Sequence, residues 1–197
     1  MPGNATSRQI NIRENDMDGT TFSTRKLALL ALLTALAILF GYVESLIPVS
    51  FGVPGIKLGL SNLVILIVLL RFRAREALLV SAARVLVIGF LFGNLYSIAY
   101  GLAGTCLSIL VMMLLLKANV FGLIGISAAG GAAHNIGQLL VAKLVLPSLP
   151  LLWYSPILLL VGLFTGAIIG ALVYVIATRL FSAGLFQDGY TRIRNEE

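Results

Sequence analysis

Six apolar runs dominate the chain: about Lys26 to Ile47, Leu58 to Leu70, Ala77 to Phe92, Ser97 to Leu116, Val120 to Leu146 and Trp153 to Leu180, with polar or Gly/Pro punctuation between them. A bilayer core of about 30 Å is crossed by about 20 apolar residues in a helix. With 59% hydrophobic and 11% charged residues, the 197-residue chain has too little polar material to cover a water-soluble globule. These features predict an all-α, polytopic membrane protein, a six-transmembrane-helix bundle whose second and third runs are short.

The cations orient that bundle. Arg8, Arg13, Arg25 and Lys26 precede the first run, Arg71, Arg73 and Arg75 separate the second from the third, Lys117 follows the fourth, and Arg179, Arg192 and Arg194 close the chain. All of these fall on one side of a six-span map, against Lys57 alone in a loop on the other; Arg84 and Lys143 lie within runs. Cytoplasmic loops collect Lys and Arg, so both termini are expected in the cytoplasm. The pI near 9.8 follows from this topology and requires no nucleic-acid partner. Residues 1–24 mix Glu14, Asp16 and Asp18 with Arg8 and Arg13, unlike a cleavable signal, and read as a disordered cytoplasmic tail. Residues 25–181 read as the transmembrane domain and 182–197 as a second cytoplasmic tail.

Several chemistries are excluded by what is missing. There is no GxxxxGK[ST] run to cradle ATP phosphates. No carboxylate cluster suits Mg²⁺ on a diphosphate, because Asp16 and Asp18 lie in the tail and Asp188 stands alone. Neither a cofactor nor a metal is therefore expected, and chemistry on a phosphorylated substrate would need a partner subunit. Cys106 is the single cysteine, so no intrachain disulfide can form.

Polar residues at membrane depth remain. At about 1.5 Å per residue, His134 lies about 21 Å from the cytoplasmic end of its run, with Asn135 and Gln138 farther out. Glu44 lies about 27 Å across, Asn62 about 7 Å in from the outer boundary near Lys57, and Arg84 about 12 Å from Glu76. Asn94 belongs to the outer turn. At helical spacing Ser127, Gly131, His134, Asn135 and Gln138 share an arc of about 100°, so "HNIGQ" is expected to line an outward-facing pocket, since intramembrane polar groups usually face a bundle interior. The same residue types also serve as interhelical hydrogen-bond glue, and Arg84 could pair with Glu44 as readily as bind an anion. Lys57 and Lys143 can snorkel to the outer surface. Tyr42, Tyr96, Tyr100 and Trp153 could stack on a ring or mark the membrane interface.

Small residues recur every four positions at Gly162, Gly166 and Gly170 and at Ala31 and Ala35. Such spacing lets helices approach closely; in the sixth run it reads as packing within the bundle, and in the first a partner protein could use the groove. The connection Ser45 to Val64, broken by Pro48, Gly52, Pro54, Gly55 and Gly59, suits an outer loop that dips back or covers the pocket.

The segments "PGIKLGLSN" at 54–62, "REALLVSAARVL" at 75–86, "FGN" at 92–94 and "AHNIGQ" at 133–138 resemble the bacterial membrane family labelled either Gx transporter or heptaprenyl diphosphate synthase component I. The resemblance covers roughly Thr24 to Leu180. It implies a bacterial cytoplasmic membrane and a likeness to the substrate-binding S components of energy-coupling factor (ECF) transporters. Those have six helices, an outward-facing substrate site and small residues on the first helix that dock a coupling subunit, which in turn carries two ATPases. Ala31 and Ala35 match that docking pattern.

A prenyl-elongating enzyme of the usual kind needs Asp-rich motifs that this chain lacks, which disfavours a catalytic role. The leading expectation is a substrate-binding membrane subunit for a vitamin or cofactor precursor, energised by ATPases on other chains. Glu44, Lys57, Asn62, Arg84, Asn94, His134, Asn135 and Gln138 would contact or shape the substrate site. The alternatives are a noncatalytic membrane component serving a soluble prenyltransferase, and an ion-coupled carrier working alone.

Overall fold

The computed structural model describes residues 24–46, 59–145 and 151–182, which form six α-helices and, among the described residues, no strand. They are α1 (Thr24–Leu46), α2 (Leu60–Arg71), α3 (Ala74–Phe92), α4 (Leu95–Ala118), α5 (Leu123–Val145) and α6 (Leu151–Ser182). Each falls on one of the six apolar runs. Both tails, Lys57, most of the Pro/Gly-rich connection and the run ends Ile47, Leu58 and Leu146 lie outside the described residues.

By length and composition α1, α4 and the stretch Ser155–Arg179 of α6 are long and apolar enough to cross a membrane. The others depart from that standard for visible reasons. Arg75, Glu76 and Arg84 interrupt α3, and the "HNIGQ" stripe dilutes α5. α2 has only 12 residues, about 18 Å of helix.

That short helix is the centre of the molecule. Every residue from Leu63 to Leu69 is buried, as expected for a helix apolar on all sides. α1, α3 and α6 pack around it. The core adds Ala37 of α1, Ala77 and Val80 of α3, Ile109 and Met112 of α4, Leu123 and Ile126 of α5, and Ile169 and Val173 of α6.

Tight turns join α2 to α3, α3 to α4 and α4 to α5. α3 begins at Ala74, three residues before the apolar run, because Glu76 folds back to accept the Arg73 N–H at 3.1 Å. Lys26 of α1 donates to the same carboxylate at 2.5 Å. α4 starts on Asn94, whose Oδ1 accepts the Ser97 N–H at 2.8 Å while Ser97 Oγ accepts the Asn94 N–H at 2.9 Å. Asn119 ends α4 in the left-handed conformation at φ 52°.

α5 and α6 meet nearly backbone to backbone. A Cβ on Gly166 would stand 2.5 Å from the Ser127 carbonyl oxygen, and one on Gly170 would stand 2.8 Å from Ile124 Cα. Close approach of this kind replaces the hydrophobic driving force that helices lack within lipid. The glycine stripe of α6 thus serves packing inside the bundle.

Candidate functional site

Between the helices lies a cavity of about 360 Å³ to which all six contribute, among them Glu44 of α1, Ser61 and Asn62 of α2, Arg84 of α3, Ser108 of α4, His134 of α5 and Thr165 of α6. Small residues create the space. Gly41 of α1 leaves room for Ile88 of α3, with a Cβ there 3.1 Å from Ile88 Cγ1. On α4, a Cβ at Gly104 would stand 2.8 Å from Gln138 Cγ and 3.0 Å from His134 Cε1.

One wall carries both charges. α2 starts at Gly59, which has φ 76° and no side-chain cap of its own. Glu44 supplies one from α1: its Oε1 accepts the Leu60 N–H at 2.6 Å and its Oε2 accepts Ser61 Oγ–H at 2.8 Å. A carboxylate at a helix N-terminus meets both free amides and the positive end of the helix dipole. Arg84, only 9% exposed, donates through Nη1 to the same Ser61 hydroxyl. Ser61 therefore stands between the two charges. Arg84 Nε is buried without a hydrogen-bond partner.

A second wall is α5. Ser127, Gly131, His134, Asn135 and Gln138 all line the cavity, so the stripe read from helical spacing points inward. Its members differ in what they do. Asn135 donates through Nδ2 to the Leu158 carbonyl of α6 at 2.6 Å, which makes it interhelical glue as well as lining. Gln138 is fully buried and His134 half-buried.

Six of the eight residues expected to form the site thus share one cavity: Glu44, Asn62, Arg84, His134, Asn135 and Gln138. Asn94 is exposed and caps α4 instead of lining the cavity, and Lys57 lies outside the described residues. None of Tyr42, Tyr96, Tyr100 and Trp153 lines the cavity; Tyr42 stacks near Phe92 and Tyr96 near Tyr100, with ring centroids 5.0 and 5.8 Å apart. Lys143 is exposed. Ala31 and Ala35 sit exposed on the outer face of α1 beside Leu27, Leu32 and Leu39.

Ser61, Ser108 and Thr165 are lining hydroxyls that sequence reasoning missed. Ser61 had one signal, adjacency to Asn62, since a lone hydroxyl in an apolar helix breaks no periodicity.

No curated protein and no solved structure matches the chain. The family model described as heptaprenyl diphosphate synthase component I matches residues 33–176, well over half of the sequence and some part of every helix, and the chain belongs to that family.

Proposed function

We propose that the chain is the substrate-binding integral membrane subunit of an uptake system, akin to an ECF S component, with six spans, both termini cytoplasmic and transport energised by ATPases on separate chains. The observation that carries this reading is the polar cavity within an otherwise lipid-grade bundle. Its 360 Å³ falls in the range of small-molecule sites, and intramembrane ionisable groups such as Arg84 and Glu44 are functional candidates by default. α2 is a short span in this arrangement, enclosed along its length by α1, α3 and α6. The substrate class is a vitamin or cofactor precursor of modest size, and Ala31 and Ala35 offer the coupling subunit a shallow face on α1.

A second reading is favoured by the family description. "Component I" implies a further component, and the absence of Asp-rich motifs suits a noncatalytic membrane partner that recruits a soluble prenyltransferase.

Native mass spectrometry of the full chain released gently from its own membranes separates the two. A small molecule that is retained by the wild type and lost from Arg84→Ala or His134→Ala supports the uptake subunit. A prenyltransferase bound in its place, with the cavity empty, overturns that reading and supports the second.

A further inference from the structure

The charged wall of the cavity points to the class of ligand it takes. Arg84 is nine-tenths buried, faces the cavity, and among the described residues makes its one hydrogen bond to Ser61, leaving Nε unpartnered. A guanidinium presents a fork of donors shaped for an oxyacid, and a buried donor without an acceptor is costly. Glu44 uses one lone pair on each oxygen, for Leu60 and Ser61, so both oxygens keep further capacity. The two groups have opposite charges, line one cavity and are joined only through a shared hydroxyl.

Charge balance narrows the choice. Arg84 and Glu44 already compensate one another, and a bare anion or a bare cation added to this low-dielectric site would leave a charge unpaired. A ligand with both charges adds partners without altering the sum.

We infer that the cavity selects a zwitterionic group, with a carboxylate or phosphodiester on the Arg84 guanidinium and a protonated nitrogen on Glu44. The inference rests on the proposed role of the cavity as a substrate site, and it fits either a soluble zwitterion or the headgroup of an ethanolamine phospholipid.

The test uses the full chain in nanodiscs of phosphatidylglycerol, with and without phosphatidylethanolamine. Thermal unfolding and titration calorimetry are run with amino acids and glycerophosphoethanolamine, and with derivatives that keep one charge: N-acetylated forms of each, and methyl esters of the amino acids. A zwitterion that raises Tm, and loses about tenfold or more in affinity on either modification, supports the inference and identifies a soluble source. Stabilisation by phosphatidylethanolamine alone supports it with a lipid source. Because these comparisons use the wild-type chain, they do not depend on a charge variant folding; Arg84→Lys and Glu44→Gln, each expected to weaken the zwitterion, are secondary. An N-acetylated or esterified compound that binds as well as its parent overturns the zwitterion. A cavity ligand found by native mass spectrometry to carry one charge or none also overturns it, while leaving the substrate-binding reading intact. A cavity that holds no compound and no lipid overturns both.

Discussion

Glu44 of α1 accepts the backbone N–H of Leu60 at 2.6 Å, so one helix caps the first turn of another. Both elements gain from the bond. The amide would otherwise be an orphan donor at the start of α2, and the half-buried carboxylate would otherwise have fewer donors. Glu44→Ala removes the cap and the Ser61 acceptor together and is expected to cost about 1–3 kcal/mol. Glu44→Gln keeps an acceptor oxygen and is expected to cost less. Denaturation of both variants in mild detergent checks the order; an alanine variant as stable as wild type would show that Glu44 is not a cap.

Lys26 and Glu76 tie α1 to α3 at the end of the bundle, just outside the apolar run that starts at Ala77. Burial works against ionisation of Glu76, but the Lys26 hydrogen bond and charge and the Arg73 amide outweigh it and hold the carboxyl below its ordinary range. A carboxyl lowered in the folded state contributes stability above its unfolded pKa, and that contribution is lost as pH falls through the folded one. Wild type should therefore exceed Lys26→Met by no more than about 1 kcal/mol at neutral pH, given the partly exposed lysine. The gap should close on acidification below the usual carboxylate range. A gap that persists in acid would assign the effect to packing of the lysine stem.

Replacing Gly166 or Gly170 tests the α5–α6 contact. A leucine at either position has no space against Ser127 and Ile124, and overpacking of this kind costs about 1–3 kcal/mol or more. Loss of the monodisperse species on size exclusion, with the alanine variant intermediate, is the expected result.

Asn135 and His134 are neighbours with different expected roles. Asn135→Ala breaks the bond to Leu158 and should cost about 0.6–1.7 kcal/mol of stability, the range for hydrogen bonds between membrane helices, with a smaller effect on ligand retention than His134→Ala. Equal loss of ligand in both variants would make Asn135 a contact as well as glue.

Much of this architecture was legible in advance because lipid demands it. The six runs locate the helices to within a few residues, and the inward stripe of α5 follows from helical spacing alone. The capping role of Asn94 had its own signal, an asparagine three residues before Ser97 at the start of an apolar run, but its outer-turn position drew it into the site instead. Ser61 and the Lys26–Glu76 pair were hidden for another reason. Lys26 and Glu76 are 50 residues apart, so only the packing of α1 on α3 brings them together. An apolar surface all round suits a lipid-facing span as well as a helix buried in protein, so the central place of α2 was not legible in its own sequence.

The position of α2 also bears on how the chain is made. Too short to be held by lipid alone, α2 depends on cover from other helices, and Ile169 and Val173 of α6 belong to the core that encloses it. α6 leaves the ribosome after the other five described helices. The middle of this protein is consequently completed after its periphery, and a truncation that removed α6 would strip cover from the centre while leaving α1 and α3 in place.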